Sequence, residues 1–266
     1  MSPLGAEEVE RPAYPSEWSI AQVLSHLGSG AEIFRLYLAS ARTGAPAPEF
    51  EDFSEIWDVW NSKEPQDQTT EALAADAAFL DQLTAMSAAE QAQFSVDMFN
   101  GQTDLPGFLR LRVGELAVHT WDVLVALDPS ATLAPDASAL ILPGLGELVA
   151  RAGERSDDEV AVRVTTTDPA ATFELTIGPD GPRLDEAHTD SATEATLSLP
   201  AEALVRLVYG RLGWGVSSGG CLAVPPCRTS EGSAYDAAIY VTILALTGLI
   251  TFAIDQLIGI ESNLGY

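Results

Sequence analysis

Histidine is scarce in this chain, with only His26, His119 and His188 among 266 residues, so the place of each is informative. His119 follows Glu115 by four positions. Successive turns of a helix carry residues i and i+4 on one face, where a carboxylate and an imidazole can reach the same ion. At about 100° per residue, Arg112, Glu115, His119 and Asp122 form one polar seam. It borders an apolar stripe of Leu109, Val113, Leu116, Thr120, Val123 and Leu127. His26 has the corresponding place on its own predicted helix, flanking an apolar stripe beside Gly30 and Ile33. Two such helices packed edge to edge would bring two imidazoles and a carboxylate together, a donor set for a divalent ion. Spacing alone leaves a second reading open, because a histidine at the edge of a stripe is commonly a packed, hydrogen-bonded residue. Arg112 with Glu115 can likewise be a simple i,i+3 ion pair, contributing about 0.2–0.5 kcal/mol. His188, in a polar loop, reads as surface.

The elements that must position these residues are marked in the sequence. A helix is predicted over 16–38. Ser19 and Gln22 have capping-box spacing, Trp18 can staple onto Val23, and Ile20, Val23, Leu24, Leu27, Ala31, Phe34 and Leu38 repeat at the helical period. A Pro/Gly-rich loop at 43–48 and a polar stretch at 61–70 precede an alanine-rich helix over about 71–85. A further helix over about 107–127 is stopped by Asp128-Pro129, since the residue before proline disfavours the helical region. The pattern over 136–152 is helical again, with a kink or break expected at Pro143-Gly144.

The texture then changes. Val160, Val162 and Val164 alternate with polar residues, as do Phe173, Leu175 and Ile177, and Gly178-Pro179-Asp180-Gly181 supplies a turn. A third strand is predicted at 194–199, followed by Pro200 at the start of an amphipathic helix carrying Leu204, Leu207 and Val208. The fold class is therefore α+β. The predicted organisation is a helical bundle over 1–152, a small α+β domain over 153–212, and an atypical linker with an apolar helix over 213–266.

Composition narrows the partners. Apolar residues make up 47% of the chain, enough for a real core, and 39 acidic against 13 basic side chains give a net charge of −26. Such a charge repels nucleic acid and anionic membrane surfaces, and its plainest role is a solvated acidic surface. The two cysteines, Cys221 and Cys227, fit neither a zinc knuckle nor a disulfide framework, so a reducing compartment is expected. The first residues lack a basic and then apolar leader, and a cytoplasmic protein is the expectation. Residues 237–254 carry no charge over eighteen positions, the length of a short membrane span or of a buried or oligomer-forming helix. Thr242, Thr247, Gly248 and Thr251 weigh against the membrane.

Two stretches resemble known signatures. Trp18-Ser-Ile-Ala-Gln-Val-Leu-Ser-His26-Leu is similar to the first motif of DinB-like metal-binding bundles. Gly114-Glu-Leu-Ala-Val-His119-Thr-Trp-Asp122 is similar to the second motif of the mycothiol-dependent maleylpyruvate isomerase family. The resemblance covers roughly residues 7–212. It implies a DinB-like bundle followed by a small sterol-carrier-like α+β domain. It also implies zinc, or a similar divalent ion, held by His26, Glu115 and His119, and mycothiol as the thiol cofactor. Arg211, in the pair Gly210-Arg211, would be an arginine serving activity, and Arg110 or Arg112 are further candidates to hold carboxylates. The chain departs from that family at both ends. Only seventeen residues precede Trp18, so one bundle helix is expected to be absent or frayed, and Tyr235 to Ile260 faintly resembles the last helix of a transporter permease.

Three protein ligands are the count of a catalytic zinc site with one open position, where a thiol can enter and lose its proton. The thiolate adds to the double bond of a cis-unsaturated acid, the former double bond rotates, and elimination releases the trans isomer. The expected function is thus thiol-dependent isomerisation, or thiol transfer to a small electrophilic acid. The alternatives are a non-catalytic metal-binding protein of DinB type, or a fused or truncated inactive family member.

Overall fold

The computed structural model describes residues 4–14, 17–98, 101–187, 193 and 195–212. The chain divides into two units, Met1–Ala131 and Thr132–Tyr266. His188, Cys221, Cys227 and the apolar run at 237–254 lie outside the described residues. No helix among the described residues is long and apolar enough to cross a membrane.

The first unit is built around one long helix, α2 (Ile20–Thr43). Its start is the expected capping box, with the Gln22 N–H donating to Ser19 Oγ at 3.2 Å and the Ser19 N–H donating to Gln22 Oε1 at 2.8 Å. It ends at Gly44, whose φ of 69° is the left-handed conformation that closes helices and favours glycine. The helix runs on past the predicted end at 38. It packs against α3 (Phe50–Asn61), α4 (Pro65–Thr84) and α6 (Leu105–Leu127). Phe34, Trp60, Phe79, Phe94 and Phe108 form the buried centre, with Phe34 and Phe108 ring centroids 5.0 Å apart.

Ahead of α2 stands a single helical turn, α1 (Ala6–Val9). After it the chain straps the start of α2 to the end of α6. The Ala13 N–H donates to Trp18 O, the Ile20 N–H to Arg11 O, and the Tyr14 N–H to Asp122 O, while Arg11 Nη2 donates to Ala126 O at 2.8 Å. A short helix α5 (Ala88–Ala92) and a hairpin, β1 (Ser95–Met98) against β2 (Gly101–Asp104), lead into α6. Val96 and Met98 point their buried side into the aromatic cluster. An isolated hairpin is weak in water, and this one is held by that apolar face.

In the second unit α7 (Pro135–Ile141) and α8 (Leu145–Ala152) are separated by a 3-10 turn at Leu142–Gly144, where a break is expected from Pro143. A four-stranded sheet follows, β3 (Val160–Thr167), β4 (Ala171–Ile177), β5 (Arg183–Glu186) and β6 (Ala195–Pro200), ordered β5-β4-β3-β6. The pairings of β3 with β4 and of β4 with β5 are antiparallel, and β6 lies parallel to β3 with Val164 opposite Leu197. Val162, Val164, Phe173, Leu175, Leu197 and Leu199 bury one face. The last described helix is α9 (Ala201–Val208). Gly146 lets α8 come close to β5, since a Cβ there would stand 2.5 Å from the Leu184 carbonyl oxygen.

Candidate metal centre

His26 sits in the second turn of α2, and Glu115 and His119 on facing turns of α6. His26 Nε2 donates to Glu115 Oε2 at 3.2 Å, and His119 Nε2 lies 3.6 Å from the same oxygen. The His26 and His119 rings meet edge to face, their centroids 4.6 Å apart. One ligand atom from each of the three residues falls within 4.8 Å of the others. Donors about 2.0–2.2 Å from a tetrahedral zinc would be roughly 3.3 Å from one another. The observed spacings fit such an ion with small side-chain movements, and two imidazoles with one carboxylate are a known catalytic donor set.

The surroundings are arranged as a ligand shell would need. Asp122, fully buried, accepts from His119 Nδ1 at 2.9 Å, which keeps a proton on Nδ1 and would leave the Nε2 lone pair for an ion once the ring is neutral. The Trp18 ring lies 5.7 Å from the His26 ring, and the Trp18 carbonyl accepts from the Ala13 N–H at 2.8 Å. His26 and His119 are buried, and the Glu115 side chain keeps 19% exposure, so the cluster opens at the carboxylate.

Electrostatics follow from this packing. Burial lowers the His26 imidazole below its ordinary pKa, with the nearby His119 and Arg112 charges adding to the effect and the Glu115 hydrogen bond opposing it. Burial would also lower His119. Its bonds to Asp122 and Glu115 outweigh that and raise it from 6.5 to about 9. Burial favours the neutral form of Glu115, yet the two histidines hold its carboxyl well below the ordinary range.

Other sequence candidates fall elsewhere. Arg112 pairs not with Glu115 but with Asp76 of α4, Nη2 donating to Asp76 Oδ1 at 2.9 Å and to Leu27 O at 3.1 Å. The guanidinium is long enough to cross to the neighbouring helices, and both targets are acceptors on buried or half-buried surface. The polar seam proves to be the buried side of α6, with Arg112, His119 and Asp122 each under 9% exposed. Leu109, Val113 and Leu116 are only half-buried and Thr120 is exposed. Arg110 is half-buried.

Arg211 belongs to the second unit and closes α9. Gly210, at φ 71°, donates to Leu207 O and the Arg211 N–H donates to Arg206 O at 2.7 Å, the paired bonds of a Schellman cap. Its side chain is buried, with Nη1 donating to Tyr209 O at 2.8 Å. The roles of Asp122 and Asp76 were not singled out in the sequence. For Asp122 the i,i+3 offset from His119 was an available signal, whereas Asp76 carries none.

Comparison with known proteins agrees with this architecture. Residues 1–124 match the family described as the mycothiol maleylpyruvate isomerase N-terminal domain. The fold is similar to a crystal structure of the mycothiol-dependent maleylpyruvate isomerase, with a TM-score of 0.56 and 16% identity over 79% of this chain and 81% of that one. A histidine-to-alanine mutant of that enzyme matches at a TM-score of 0.56 and 15% identity, over the same shares of both chains. No curated protein sequence matches the chain. The match to the mycothiol maleylpyruvate isomerase N-terminal domain family thus extends over residues 1–124, the part of the chain that carries the His26, Glu115 and His119 cluster.

Proposed function

We propose that this chain is a metal-dependent, thiol-cofactor-dependent enzyme of the maleylpyruvate isomerase type, with mycothiol as its thiol and a small unsaturated or electrophilic acid as its substrate. The observation that carries the proposal is the meeting of His26, Glu115 and His119 within a domain of that family. These residues would hold a divalent ion, zinc being favoured by the two nitrogens and one oxygen. Bound there with an open position, the ion supplies Lewis acidity that keeps a thiol deprotonated at neutral pH. Asp122, by accepting from His119 Nδ1, would keep the Nε2 lone pair turned to the ion. Arg211 is proposed to receive a carboxylate, which an acidic protein must arrange locally.

A second reading, a metal-binding protein without turnover, is favoured by one observation. The Arg211 side chain is only 5% exposed and is bonded to Tyr209 O. The test begins with elemental analysis of purified wild type and of the His26→Ala, Glu115→Gln, His119→Ala and His188→Ala variants. About one ion per chain is expected in wild type and His188→Ala, and little in His119→Ala. Equal metal in all of them, or none in any, would refute the site. Metal-loaded protein is then mixed with mycothiol and maleylpyruvate, and conversion to fumarylpyruvate is followed beside a panel of electrophiles. Thiol binding with turnover of another electrophile would make it a transferase, and no thiol binding would leave the non-catalytic reading.

A further inference from the structure

Along the contact between α2 and α6 the side chains stand in successive levels. His26 faces Glu115 and His119, Gly30 faces Arg112 one turn on, and Phe34 faces Phe108 one turn beyond that. Arg112 therefore lies between the ligand cluster and the aromatic core. Its guanidinium sits over the rings of Phe34 and Phe79, 5.7 and 6.0 Å from their centroids. It is 2% exposed, and its Nε has no hydrogen-bond partner among the described residues.

A buried cation with an unmet donor is a poor stabiliser, because an apolar side chain of similar volume avoids the cost of desolvation. What Arg112 supplies that an apolar residue cannot is directional bonding. Nη2 reaches the carbonyl of Leu27, the residue after His26, and the same nitrogen reaches Asp76 of α4. Three helices are thus tied through one atom at the level next to the metal ligands. Gly30 leaves the room this needs, since a Cβ there would stand 3.2 Å from Arg112 Nη1.

We propose that Arg112 is a positioning residue for the ligand cluster: by binding Leu27 O and Asp76 it sets the spacing and register at which His26 of α2 meets Glu115 and His119 of α6. The inference rests on the metal reading given above for its function, while the geometry it explains is present without an ion. Arg112 is not placed to touch thiol or acid, being 2% exposed and bonded to Leu27 O and Asp76. It acts through His26.

The test uses the full chain loaded with cobalt(II), whose visible absorption reports ligand number and geometry. Arg112→Lys keeps the charge but loses the planar fork, and Arg112→Met keeps the volume without the charge. Both should shift the cobalt spectrum and weaken binding at least tenfold, measured against a chromophoric chelator. Arg42→Lys, at an arginine paired with Glu90 on the surface, should change neither. Gly30→Ala, which crowds the guanidinium from the other side, should move the spectrum in the same sense as Arg112→Lys. In the metal-free protein the imidazole correlations of His26 should shift in the Arg112 variants, and this reading needs no ion. Wild type that takes up no cobalt, with His26 shifting in the variants, would defeat the metal reading and leave the positioning role. Folded Arg112→Lys and Arg112→Met proteins with wild-type spectra, affinities and His26 resonances would overturn it.

Discussion

At the scale of single residues the cluster is an electrostatic balance that an ion would alter. Without metal, Glu115 carries the negative charge and His119 is held protonated by Asp122 and Glu115, its pKa near 9, while burial keeps His26 neutral. The sign of the pH dependence follows by linkage. For His119 the folded pKa is raised, so its contribution to stability is complete below 6.5 and is lost as pH rises to about 9. For His26 the folded pKa is lowered, so stability falls as pH drops below the ordinary value of 6.5. The thermal midpoint of metal-free protein should therefore peak near that ordinary value and decline on both sides. His119→Gln should flatten the alkaline limb. Metal loading should remove that limb as well, since a coordinated imidazole is already deprotonated. Thermal melts over this pH range, with and without zinc, would check it. An alkaline limb unchanged in His119→Gln would show that another group governs it.

At the scale of elements, the packing of α3 on α2 depends on one missing side chain. A Cβ on Gly28 would come within 2.2 Å of the Trp60 ring, which is 1% exposed and so has no room to retreat. Gly28→Ala gains about 1 kcal/mol of helix propensity. Overpacking against the indole should outweigh it, with a net loss of about 1–3 kcal/mol. A urea midpoint equal to or above wild type would mean that Trp60 moves aside. The same element shows what the sequence carries and what it hides. The helices α2 and α6 were legible from a capping box, a helical period and the stop at Asp128-Pro129, and the grouping of His26, Glu115 and His119 from their spacing and the family resemblance. The helix α3 was not, because only Phe53 and Trp60 are buried while Phe50 and Val59 face solvent, which blurs the period. The strands β1, β2 and β5 are four residues each, too short for alternation to stand out. The side of α6 that is buried was misread because the helix is apolar nearly all round, and its charged seam is buried by pairing with α4 and within itself. That pairing joins residues 36 positions apart, and no local pattern records it.

At the scale of the whole molecule, the division after Ala131 has a consequence for where the proposed metal binding would reside. His26, Glu115, His119 and Asp122 all lie in Met1–Ala131, and so do Asp76, Leu27 and Trp18. The aromatic cluster of Phe34, Trp60, Phe79 and Phe108 lies there too. A unit with its own buried core and complete helices can in principle fold alone. A chain ending at Ala131 should therefore be helical, melt cooperatively and take up a divalent ion with an affinity comparable to the full chain. It should show no turnover if Arg211, in the second unit, receives the carboxylate of the acid. A chain ending at Leu212 retains both units up to the last described residue and should bind metal and turn over as the full chain does. Metal titration and activity of the two pieces separate these roles. A folded 1–131 piece that binds no metal would show that the ligand cluster needs the second unit, and loss of metal from the 1–212 piece would assign a part in binding to residues 213–266.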